Sequence, residues 1–164
     1  MSPEDQFRSF VVARTPALSR TAYLLTGDAH LAEDLVQTAL FKAARSWHRI
    51  EGDPEPYVRR ILYTQNVSWW RKRRLKETAL GDYDAPQPAG GDHELRLTLE
   101  DALARLTTKQ RTVLVLRYFE DLTEVQTGQL LGIGAGTVKS TTRQALARLR
   151  TLAPELAELI GDAS

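Results

Sequence analysis

This sequence of 164 residues predicts an all-α fold of two small helical domains, the second a helix-turn-helix. Three observations carry that expectation. Leu, Ala, Val and Ile recur at spacings of three and four along most of the chain, while alternating strand patterns are scarce. Residues 77–94 lose this periodicity and are rich in Pro, Gly and Asp, the composition of a flexible acidic linker. Residues 122–150 read as two helices with a tight turn between them.

The first helix is expected to start at Ser2-Pro3-Glu4-Asp5, with proline in its first turn and acids at the positive end of the helix dipole. Phe7, Phe10, Val11, Leu18, Tyr23 and Leu24 give it an apolar face, and Thr26-Gly27-Asp28 ends it. A second helix opens at about Asp28. Leu31, Leu35, Ala39, Ala43 and Trp47 turn inward, with Thr38 at the margin and Glu33, Asp34, Gln37 and Lys42 outward. Spacing alone reads that outward face as simply solvated.

A turn with two prolines, Pro54 and Pro56, leads into the most polarised stretch, 57–76. It holds Arg59, Arg60, Arg71, Lys72, Arg73, Arg74 and Lys76, with no acid, and interleaves Tyr57, Tyr63, Trp69 and Trp70. Bases attract phosphates and aromatic faces stack on unpaired bases, which suits single-stranded or opened nucleic acid. The same spacing also suits core positions for the aromatics and a solvated end for the RKRR run. For each tryptophan taken alone the core reading is favoured.

After the linker, amphipathic periodicity resumes with Leu95, Leu97, Leu99, Leu103 and Leu106. Thr107 or Thr108 caps the next helix, which ends near Glu120. In the helix-turn-helix, Val125, Leu130 and Leu131 share one face, Gly132 makes the turn and Ile133 plugs the angle. Gly128 stands where a close approach demands a small side chain. Val138, Ala145, Leu146 and Leu149 form the inner stripe of the last helix, whose basic residues include Lys139, Arg143, Arg148 and Arg150. No acid lies between Thr137 and Leu152, so its free face suits the major groove. A short helical turn, LAELI, is expected in the tail. The domains are set at 1–77 and 95–164, with the linker at 78–94.

Bulk properties narrow the function classes. Hydrophobic content of 42% allows a core, and the net charge of +1 conceals the segregation described above. There is no cysteine, which removes disulfides and thiolate metal sites and fits a reducing compartment. No signal peptide or membrane span is visible, and a cytoplasmic protein is expected. His30, His48 and His93 fall in unrelated segments and no Gly-rich phosphate loop follows a strand, so neither catalysis nor a cofactor or metal is expected.

The chain resembles the extracytoplasmic-function (group 4) sigma factors of the sigma-70 family. AEDLVQTALFKAARSW is similar to region 2.2, PEPYVRRILYTQNVSWWRKRR to regions 2.3 and 2.4, and LTTKQRTVLVLRYFEDLTEVQTGQLLGIGAGTVKSTTRQALARLR to region 4. The YVRR…SWWR wording is closest to an actinobacterial subgroup named after sigma-E. The resemblance implies a protein that binds core RNA polymerase and directs it to promoter DNA, without inserting into a membrane. Glu33, Asp34, Leu35 and Gln37 match the surface that packs on the β′ clamp helices. Arg59, Arg60, Tyr63, Asn66, Trp69, Arg71, Arg73 and Arg74 match the element that reads and melts the −10 region. Thr137, Lys139, Ser140, Arg143 and Gln144 match the −35-reading face, with Arg117 near the DNA backbone. Region 4 would also touch the β flap, and the acidic linker would follow the RNA-exit path. An anti-sigma factor is a further partner compatible with the resemblance.

Four residues depart from the family pattern. Gly134 opens the recognition helix where Ser or Pro is usual, Thr64 replaces a frequent Asn, and Thr127 and Thr141 occupy positions where many helix-turn-helices bury an aliphatic residue. The competing reading is a stand-alone helix-turn-helix regulator, which leaves the N-terminal helices, the aromatic-basic segment and the linker without a role.

Overall fold

The computed structural model describes residues 1–79 and 99–155, without the side chains of 74 and 76–79. The linker beyond its first two residues, Leu95, Leu97, His93 and the LAELI turn therefore lie outside the described residues. Every regular element among those described is helical. The chain divides into two compact units, Met1–Lys72 and Arg73–Ser164.

In the first unit, α1 spans Pro3–Thr26 and α2 Ala29–Ser46, with a 3₁₀ turn at Trp47–Arg49, and α3, Glu55–Ala79, starts in this unit and runs past its end at Lys72. Ser2 caps α1 by accepting from the Asp5 amide at 3.2 Å. Gly27, at φ 69°, closes α1 in the left-handed conformation that glycine tolerates best. Asp28 then caps α2, its carboxylate accepting from the His30 and Leu31 amides at 2.8 and 3.0 Å.

Leu18, Ala22 and Leu25 of α1 meet Leu35, Ala39 and Ala43 of α2 and Val58 and Leu62 of α3 in a fully buried core. Phe7 and Phe10 are half-buried around the Trp47 ring, at centroid distances of 5.1 and 5.4 Å. Tyr23, expected on the apolar face of α1, is exposed, and Leu25 takes the inward position two residues later.

The second unit holds α4 (Leu99–Ala104), α5 (Thr108–Leu114), a π-helical turn over Val115–Phe119, α6 (Glu124–Leu131) and α7 (Ala135–Leu152). Thr107 and Thr123 each head a capping box. Their hydroxyls accept from the amides of Gln110 and Gln126 at 3.1 and 3.0 Å, and those glutamines accept back from the threonine amides.

Leu103, Leu106, Val113, Leu114, Val115, Leu116, Val138, Ala145 and Leu149 build the core of this unit. Thr127 and Thr141 are buried within it, so this core includes hydroxyls at both positions. Val125 was expected beside Leu131 but is 56% exposed. It precedes the inward Thr127 by two residues, about 200° around the helix, and therefore points to solvent.

Candidate nucleic-acid and partner interfaces

The fit between α6 and α7 depends on one glycine. A Cβ on Gly128 would lie 2.6 Å from the Ile133 carbonyl oxygen, so the close neighbour is the backbone of the turn. Ile133 also donates its amide to the Gly128 carbonyl at 2.9 Å, and Gly132 turns the chain at φ 72°. From this fixed corner α7 runs with Val138, Thr141, Thr142, Ala145, Leu146 and Leu149 inward.

The remaining face of α7 exposes Thr137, Lys139, Ser140, Arg143 and Gln144 together. Ser140 donates back to the Thr137 carbonyl at 3.1 Å. Arg148 on the same helix donates to the Arg105 carbonyl at 3.0 Å. Gly134 caps α7 without any side-chain bond, the weak start its residue type implies. Such a face can offer donors, acceptors and positive charge to a base-pair edge at once.

Arg117, matched by resemblance to a position near the DNA backbone, is half-buried and tied within its own unit. It donates to the Leu122 carbonyl at 2.5 Å and lies 4.0 Å from the Glu124 carboxylate. Its guanidinium sits 5.8 Å from the Tyr118 ring centroid. This cation braces the π-helical turn against the start of α6, and its geometry explains a structural role.

The residues expected to read the −10 region separate into three groups on α3. Arg60 and Arg71 are exposed, while Trp69 and Arg73 are half-buried. Tyr63 and Asn66 are core residues, 7% and 2% exposed, so neither presents its side chain to a ligand in this conformation. They share their stripe with buried Trp70, as spacings of three and four require.

Arg59 belongs to a third group, directed inward. It donates to Glu55 and to the Thr21 hydroxyl, each at 3.0 Å. Glu55 also pairs with Arg14 of α1. The Arg14 hydrogen bond holds the Glu55 carboxyl below its ordinary range, against an opposing push from burial, and Arg59 adds to the lowering. The Arg74 side chain lies outside the described residues.

Helical arithmetic sets Thr64, Ser68 and Leu75 on the same face as Arg60 and Arg71. Tyr57, Arg60, Thr64, Ser68, Arg71 and Leu75 follow one another at intervals of three or four, all at least partly exposed, with exposed Lys72 alongside. Behind this face, buried Gln65 accepts from Lys42 of α2 at 2.5 Å.

On α2, Glu33, Asp34 and Gln37 are exposed, with Gln37 donating to Glu33 at 3.4 Å. Leu35, matched to the same surface by resemblance, is fully buried. Its spacing to Ala39 and Ala43 places it on the inner stripe of α2. Among the described residues, no helix is long and apolar enough to cross a membrane and no group of His, Asp or Glu could hold a metal ion.

A basic-faced helix-turn-helix following a bundle that carries an aromatic-basic helix defines a class. Residues 10–76 match Sigma-70 region 2 and residues 102–151 match Sigma-70, region 4. The chain belongs to the sigma-70 family, among its extracytoplasmic-function RNA polymerase sigma factors. It is 40% identical over 149 residues to the RNA polymerase sigma-E factor of Streptomyces coelicolor, spanning 88% of this chain and 84% of that protein. It is 34% identical over 151 residues to the ECF RNA polymerase sigma factor SigL of Mycobacterium tuberculosis, spanning 85% and 84% respectively. A solved structure of the sigma factor RpoE with the anti-sigma factor NepR, from Bartonella quintana, is similar at a TM-score of 0.61 and 26% identity. That likeness covers 90% of this chain and 96% of the other.

Proposed function

We propose that the protein docks on core RNA polymerase through the outward acids of α2 and reads promoter DNA with two separate helical faces. Thr137, Lys139, Ser140, Arg143 and Gln144 read the −35 element in the major groove, where each well-placed base pair contact contributes about 1–3 kcal/mol of discrimination. Arg60, Thr64, Arg71 and Lys72 follow the −10 strand, and Trp69 takes an unstacked base. Energy from capturing opened bases offsets the cost of breaking the stack. Arg59, Tyr63 and Asn66 act from inside, by setting the shape of α3. Arg117 acts in the same indirect way on α6.

The exposed, acid-free polar face of α7 is the observation that carries this reading. The polymerase-binding and −10 roles extend through residues 1–77 and the −35 role through 95–164, joined by 78–94. The protein works in the cytoplasm by binding, without making or breaking covalent bonds itself. The anti-sigma complex of the similar Bartonella protein supports an inhibitor of that kind here. The test is a pull-down with the tagged full chain. Core polymerase subunits should accompany it, and promoter binding should depend on them. Tight, sequence-specific DNA binding by the protein alone, with no polymerase recovered, would refute this reading in favour of a stand-alone regulator.

A further inference from the structure

We infer that Phe41 is the apolar anchor of the surface that α2 presents to polymerase, a step that rests on the proposed docking of Glu33, Asp34 and Gln37. Phe41 lies in the C-terminal third of α2 and is 67% exposed. It follows Gln37 by one turn and Asp34 by two, within about 20° of the Asp34 direction around the axis. It lies two residues from both Ala39 and Ala43, which are fully buried, and so about 160° from the inner stripe. No small rotation of α2 would bring the ring into the core.

The chemistry around the ring specifies its partner. Glu33 and Asp34 lie towards the N-terminal end of this exposed face, while Lys42 and Arg45 flank its C-terminal end. A single convex aromatic between charges of opposite sign fits an apolar groove between helices, with a base facing Asp34 and an acid facing Arg45. Buried aromatics ringed by polar contacts are where interface energy concentrates. With Leu35 buried, Phe41 provides the large apolar contact that this face otherwise lacks.

The experiment measures affinity of the labelled full chain for core RNA polymerase from the encoding organism, with thermal melts of every variant. Phe41→Ala should weaken binding about 10- to 100-fold, and Phe41→Leu should recover most of the loss. Both should melt with the wild type, because the ring is not part of the core. Asp34→Arg tests the underlying reading separately. If Asp34→Arg weakens binding while Phe41→Ala binds like wild type, the anchor is refuted and the docking face stands. If neither changes affinity, α2 is not the docking face and the anchor fails with it. If Phe41→Ala loses affinity together with thermal stability, the effect is structural and the inference is overturned.

Discussion

Replacing Gly128 by alanine isolates the contact that sets the angle between α6 and α7. In an open helix the change would stabilise by about 1 kcal/mol, because alanine is the better helix former. Here the new Cβ would sit 2.6 Å from the Ile133 carbonyl oxygen, where an ordinary carbon–oxygen contact needs about 3.3 Å. The turn has little room to yield. Gly132 is already left-handed, and the Ile133 amide is bonded to Gly128 itself.

Overpacking of this kind costs about 1–3 kcal/mol, and a pinned backbone places it at the upper end. Set against the propensity gain, the net loss should be about 2 kcal/mol. For a domain of this size that corresponds to a fall of roughly 8–16 °C in Tm. Gly136→Ala is the matched control, since its Cβ meets nothing within 4 Å and the variant should gain up to about 1 kcal/mol. Far-UV circular dichroism of the full chain reads both units, whereas Trp47, Trp69 and Trp70 all lie in the first, so tryptophan fluorescence reads that unit alone. Gly128→Ala should lower only the dichroism transition of the second unit. A Gly128→Ala protein as stable as wild type would show that the turn is not the constraint.

Three further expectations follow from the same geometry. Glu55 has a depressed carboxyl pKa, so its contribution is present above about pH 4.5 and is lost as pH falls through the folded value. Glu55→Gln should therefore cost about 1–2 kcal/mol at pH 7, allowing for partial exposure, with the gap to wild type closing in acid; a pH series of urea melts checks this. Trp70→Ala should cost about 3–5 kcal/mol as a buried aromatic truncation, whereas Trp69→Ala should leave the fold close to wild type but slow promoter opening, a defect that a pre-melted −10 bubble relieves. Permanganate footprinting of the −10 thymines reads that step. Arg143→Ala should lose about 1–3 kcal/mol of −35 discrimination, while Arg117→Ala should lower the Tm of the second unit and leave sequence preference intact in a competition binding assay.

The helices and their ends were legible because local chemistry determines them. Asp28 caps α2, Gly27 and Gly132 close helices, and Trp70 follows the Tyr63 stripe without reference to distant residues. Charged side chains were harder to assign. The Glu55–Arg59 pair at four residues was visible in principle, but Thr21 and Arg14 reach it from another helix. Arg117 likewise finds its acceptor across a loop. A basic residue advertises affinity for phosphate equally well whether or not the fold has already engaged it.

Leu35, Tyr63 and Asn66 teach a related lesson. Helical spacing turns them inward, while the family resemblance had marked them as contacts, and the structure buries all three. Val125 shows the opposite limit. Its apolar character suggested burial, but the capping box at Thr123 fixes the phase of α6 and leaves it outside.

The most direct test of the whole account is run-off transcription with reconstituted core polymerase on a library of double-stranded promoters. The protein should convert an enzyme that does not initiate selectively into one that produces discrete transcripts. The selected templates should share two spaced elements, and Arg143→Ala should relax only the upstream one. Transcripts that are the same with and without the protein, while it binds DNA unaided, would contradict its assignment as an initiation factor.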